Sequence, residues 1–162
     1  MMLGALLGML AACGNEDSPV MKDLEMPSIS AEGVEASPLN CEVYHRGDVI
    51  PLRYVLKDNA ELGRYNIDIH HNFDHHTHST EQEECPLSAE IDKTTPEGKA
   101  KYANAWVFNQ SYTIPDGSKI YTTHDDISIP ATIEPGDYHF MIRLTDKAGN
   151  QQFRSFSIKI EE

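Results

Sequence analysis

From about residue 40 to the C-terminus, apolar and polar side chains alternate in short runs. Ile50, Leu52, Tyr54 and Leu56 alternate with Pro51, Arg53, Val55 and Lys57; Tyr65, Ile67 and Ile69 alternate with Asn66, Asp68 and His70. Trp106 and Phe108 open a run that continues to Tyr112 and Ile114, and Ile127, Ile129, Ala131 and Ile133 form another. Tyr138, Phe140, Ile142 and Leu144 alternate with His139, Met141, Arg143 and Thr145, and Phe156, Ile158 and Ile160 close the chain. A period of two sends successive side chains to opposite faces, so each run predicts a strand with one buried face. Phe153 is out of phase with Phe156, which predicts a bulge early in the last strand. Turn-forming residues separate the runs: Asp58-Asn59 and Gly63, Pro135-Gly136-Asp137, and Asp146 to Asn150 with its Gly149. Only Pro96 to Ala105 can hold a helical turn. The pattern is that of an all-β antiparallel sandwich of about seven strands over residues 40–162.

The pattern stops upstream. Residues 14–38 hold Pro19, Pro27 and Pro38, several serines and many acids, with no lasting apolar period. Residues 13–39 therefore read as an acidic, flexible tether. Met2 to Ala12 is uncharged and mostly apolar, too short to span a bilayer and about right for a signal peptide over residues 1–12. It runs into Leu10-Ala11-Ala12-Cys13, which resembles the lipobox of bacterial lipoproteins, although no Lys or Arg precedes it. The resemblance implies that Cys13 is acylated and that the membrane is reached through a lipid anchor. Glu16 and Asp17 just behind it resemble the surface-export signal of Bacteroidetes lipoproteins. The implied address is the bacterial outer membrane, surface-exposed, with the periplasmic face as the alternative.

Charge narrows the partners. The chain has 26 acidic and 13 basic residues and a net charge of −13, which disfavours nucleic acid and anionic lipid and favours cations. With Cys13 assigned to lipid, Cys41 and Cys85 remain as a disulfide pair in an oxidising compartment. A bridge closing that loop is worth roughly 3–4 kcal/mol on the chain-entropy model. The competing reading makes Cys85 a thiolate metal ligand.

Pro135-Gly136-Asp137-Tyr138, an alternating strand, then Asp146-Lys147-Ala148-Gly149-Asn150 and a last strand look like the closing half of bacterial immunoglobulin-like domains. Tyr138 falls where the tyrosine corner of that fold would lie. Together, the lipobox, "IHHNFDHHTH" and "GDYHFMIRLTDKAGN" resemble an uncharacterised family of Bacteroidetes lipoproteins with one immunoglobulin-like domain and a histidine-rich motif. This implies a fold and an address, but no activity.

Five of the eight histidines lie in residues 70–78, where an even scatter would put roughly half of one. In immunoglobulin order, residues 48–57 become strand B, 64–71 strand C, 105–114 C′ or D, 120–133 a broken E, 137–145 F and 152–160 G. C and F are antiparallel neighbours, so His70 at the end of C lies beside His139 at the start of F, both on the outer face. A turn at Asn72-Phe73-Asp74, with Phe73 as a packing anchor, would fold His76 and His78 back over them. His70, His76, His78 and His139 thus form a candidate metal site, with Asp74 as a ligand or as the carboxylate that orients an imidazole. His71 and His75 are reserves, exchanged for the others by a different turn. Imidazole and carboxylate donors suit zinc or copper. No Lys or Arg lies between Tyr65 and Ile91, so the field there favours a cation.

The expected function is metal capture or hand-over at the cell envelope. The alternative is a structural or interaction module binding a glycan or an outer-membrane protein, with the histidines only shaping the loop. No G-x-S-x-G, phosphate-cradling loop or H-E-x-x-H is present, which argues against an enzyme and leaves a metal-dependent hydrolase as a minor reading.

Overall fold

The computed structural model describes residues 22–76 and 85–162. The strands there are β1 (Ser28–Ser30), β2 (Glu42–His45), β3 (Val49–Pro51), β4 (Val55–Lys57), β5 (Leu62–His71), β6 (Phe108–Thr113), β7 (Ile120–Thr122), β8 (Asp126–Ser128), β9 (Gly136–Asp146) and β10 (Gln151–Glu161). Five of them make one sheet in the order β2-β10-β9-β5-β6. Facing it are a three-stranded sheet, β1-β4-β7, and a two-stranded ladder, β3-β8. All pairs are antiparallel except β2, which runs parallel to β10.

The period-two runs build the core as their pattern dictates. Tyr65, Ile67 and Ile69 of β5, Tyr138, Phe140, Ile142 and Leu144 of β9, and Phe156, Ile158 and Ile160 of β10 are buried from one side. Ile50, Leu52, Tyr54, Leu56, Ile127 and Ile129 close over them from the other. Each such side chain contributes about 1.5–3 kcal/mol by leaving water. The Tyr138 hydroxyl donates to the Glu134 carbonyl, 2.5 Å away and four residues upstream, the geometry of a tyrosine corner. With C paired to F, this is an all-β sandwich of immunoglobulin-like connectivity.

Residues 48–57 alternate throughout yet form two ladders, because the run changes partners. Ile50 pairs with Ile127 and Leu56 with Tyr121. Between them Thr123 fills the gap, its hydroxyl accepting from Tyr54 N. The helix α1 (Pro96–Ala103) sits where a helical turn was expected, with Thr95 capping its N-terminus.

Three expectations need correction. Residues 28–30, read as tether, form β1 and pair with Val55–Lys57, with Ile29 packed against the core. A three-residue strand is too short to display an apolar period, so composition alone masked it. No bulge marks the start of β10, whose register with β9 is continuous from Gln151 to Ile160. Phe153 simply takes the outer face, 47% exposed, with the Arg143 guanidinium over its ring. Ala131 is exposed rather than part of the buried run, lying beyond β8.

Cys41 and Cys85, 44 positions apart in sequence, are joined by a disulfide. A bonded Cys85 has no thiolate to offer a metal, which removes the ligand reading. The bridge ties the far end of the histidine loop to the residue preceding β2.

Candidate metal centre

β5 and β9 are antiparallel, and their register places His70 directly opposite His139. Directly opposed residues keep their Cβ atoms about 4.5–5.5 Å apart, so the two imidazoles share one patch of the outer face. The chain then turns. Asn72 N donates to the Asp137 carbonyl at 2.7 Å, and His75 N to the Asn72 carbonyl at 3.2 Å. His75 has a φ of 53°, a left-handed conformation in which histidine is enriched among non-glycine residues. The turn returns His76 over the strand pair, where its carbonyl accepts a hydrogen bond from His139 Nε2 at 2.9 Å. This cover explains why His139, on the outward parity of its strand, is only 2% exposed.

Phe73 is the anchor of the turn. It is buried against Tyr138 and Tyr102, with ring centres 5.5 Å away in each case. Its ring lies over Gly136, where a Cβ would come within 2.7 Å of it. Gly136 also has a φ of 149°, so glycine is required there twice over.

Three imidazoles thus converge from a strand end, a loop and a strand start. Ring centres are 5.6 Å apart for His70–His76, 5.6 Å for His70–His139 and 5.0 Å for His76–His139. Imidazoles on one tetrahedral metal at about 2.0–2.1 Å hold their ring centres roughly 5 Å apart.

Carboxylates set the tautomers. Asp68 Oδ1 is 2.6 Å from His70 Nδ1, and Asp74 Oδ1 is 2.6 Å from His76 Nδ1. In the neutral ring Nδ1 then donates, leaving the lone pair on Nε2. In His139 the roles reverse, because Nε2 donates to the His76 carbonyl and the lone pair falls on Nδ1. The His76 hydrogen bond holds the Asp74 carboxyl below its usual range. Asp68 is itself oriented by Asn109, whose amide donates to Oδ2 at 2.7 Å.

The sequence-derived candidates distribute as follows. His70, His76 and His139 come together, and Asp74 takes the orienting position beside His76. His71 keeps the inward parity of β5 and packs on Tyr102 and Phe73, at 4.8 and 5.1 Å. Burial pushes its pKa down. His75 turns toward Asp137, with Nε2 4.0 Å from Oδ2. His78 and Cys13 lie outside the described residues. Asp68 was not among the candidates, yet it precedes His70 by two in a strand and so shares its face. That spacing is the signal that identifies it.

The fold defines an immunoglobulin-like all-β sandwich with a histidine-lined corner on its outer face. The chain belongs to a family described as a domain of unknown function, DUF4625, whose model matches residues 11–161. Comparison with curated proteins gave no match.

Proposed function

We propose that this protein is a lipid-anchored cell-envelope protein that binds a transition metal, zinc or copper, for capture or hand-over. His70, His76 and His139 are the ligands, with His78, two residues further along the sequence, completing the set. The observation that carries this reading is the pairing of convergent imidazoles with carboxylates on Nδ1. Metal-ligating histidines almost always donate their other N–H to such a partner, which fixes the ring and raises its basicity. A histidine loop serving only as surface has no need of two aspartates at 2.6 Å. The site sits on the outer face at a corner of the sheet rather than inside the core, which suits exchange more than permanent structural burial. The outer-membrane address rests on the apolar run before Cys13 and the acids behind it, in the manner of Bacteroidetes lipoproteins.

Elemental analysis of tag-free protein tests the proposal. About one equivalent of zinc or copper is expected, either as isolated or after incubation with the metal and desalting. Protein that retains neither metal after incubation overturns it. A Cys13→Ser chain is expected to leave the membrane fraction, and its full retention there would contradict the lipid anchor.

A further inference from the structure

At the opposite end of the sandwich three carboxylates meet. Asp23 lies ahead of β1, Asp58 in the turn between β4 and β5, and Asp146 at the end of β9. One oxygen from each lies within 4.8 Å of the others. Clustered acids are common on protein surfaces and say little by themselves. Here two of the oxygens, Asp23 Oδ2 and Asp58 Oδ1, are shut off from solvent and accept no hydrogen bond from the described residues. A sealed carboxylate oxygen without a donor is rare in folded proteins and calls for an explanation such as an ion. No Lys or Arg side chain forms an ion pair with any of the three among the described residues. The nearby Lys147 pairs with Asp116 and Glu61, and Lys119 donates to the Asn59 carbonyl.

The remaining oxygens are held in place. Asp23 Oδ1 accepts from Glu25 N and Asn59 Nδ2, at 3.0 and 3.1 Å. Asp58 Oδ2 accepts from Ala60 N and Glu61 N, at 2.9 and 2.7 Å. Asp146, 4% exposed, accepts from Gly149 N and Asn150 N on Oδ1 and from Asn150 Nδ2 on Oδ2. One oxygen of Asp23 and one of Asp58 are thus fixed by donors while the other is sealed from solvent.

We infer that Asp23, Asp58 and Asp146 form a calcium site that fastens the N-terminal segment to the sandwich. Oxygen-only donors are hard ligands, which excludes the zinc and copper preference of imidazoles. Calcium accepts six to eight oxygens at about 2.3–2.6 Å in flexible geometry, which suits ligands from three separate segments. Magnesium demands a tighter octahedron and keeps its waters. The ion joins residue 23 to the β4–β5 and β9–β10 connections, reinforcing Asn150, whose amide donates to the Asp23 and Glu25 carbonyls. Calcium therefore sets how the chain leaves the domain at its N-terminus.

Calorimetric titration of CaCl2 into full-length, chelator-treated protein tests this, with Asp58→Asn and Asp23→Ala alongside. One calcium per chain is expected, with a higher Tm in calcium than in EDTA, and at least a tenfold loss of affinity in each variant. Asp23 lies outside the core strands, so Asp23→Ala remains readable if Asp58→Asn fails to fold. His139→Ala should bind calcium like the wild type. No calcium binding at millimolar concentration, or binding unchanged in Asp23→Ala, overturns the inference.

Discussion

The two ends of this sandwich are built from the same strands and offer opposite chemistry. At one end, the last residues of β5 and the first of β9 present imidazoles braced by carboxylates. At the other, about 25 Å along β5 by strand rise, the connections around the same two strands present carboxylates with no imidazole. The first donor set suits a borderline or soft transition metal, the second a hard cation. The ends also differ in how they are held. The histidine loop is fastened covalently through Cys85 and by the buried ring of Phe73. The aspartate end has no such bridge among the described residues, and the Asn59 and Asn150 amides tie Asp23 and Glu25 there. A covalent frame keeps a site in shape when its ion leaves. A site without one relies on its ion for order.

The largest difference should appear when the frame is cut. Replacing Cys41 and Cys85 by serine should cost about 4 kcal/mol of stability on the chain-entropy model. Denaturant unfolding measures this, and the zinc or copper affinity should fall while the calcium affinity does not. Equal losses at both ends would mean that the bridge acts globally. Phe73→Ala comes next, at about 3 kcal/mol for emptying a buried aromatic site. It should loosen the transition-metal site alone, as chelator competition would register. Asp68→Asn is smaller, roughly a tenfold drop in zinc or copper affinity, since it removes only the partner that orients His70. Unchanged affinity would make Asp68 irrelevant to the site.

The smallest effect is a pH slope at the histidine end. Burial depresses the pKa of His71 below its ordinary value, so the unfolded chain binds the extra proton more readily. The stability this confers is complete above about pH 6.5 and is lost as pH falls from there toward the folded-state value. Melting the metal-free protein between pH 7.5 and 5.5 should show this decline, and His71→Phe should flatten it. A slope unaltered by the substitution would place its origin elsewhere.

The sandwich and its strand neighbours were legible because Tyr65 to Ile69 and Tyr138 to Leu144 alternate cleanly, and one buried face fixes register. Parity then placed His70 beside His139 without any knowledge of contacts. The disulfide followed from counting cysteines. What escaped was local or short. Ser28–Ser30 has no room for a period, and the phase break at Phe153 marks an outward ring beneath Arg143 rather than a bulge. The alternation marks Asp68 only as an outward polar position, not as the partner of His70. The choice of His76 over His75 depends on one left-handed residue at position 75, which no hydrophobic pattern encodes, whereas His71 follows the inward parity of β5. The aspartate end was invisible because its three carboxylates come from the segment ahead of β1, a turn and the end of β9, and only folding brings them together.

A folded histidine site and a sticky stretch of chain respond differently to loss of a distant ligand. Titration of Zn²⁺ and Cu²⁺ into tag-free wild type and His139→Ala, by calorimetry or chelator competition, separates the two most directly. His139 is 63 residues from His76 in sequence and meets it only in the fold. A single strong site per chain is predicted in the wild type, with affinity falling below about pH 6.5 as imidazoles protonate. His139→Ala should lower that affinity by roughly tenfold or more. Affinity and stoichiometry unchanged by His139→Ala would contradict the account.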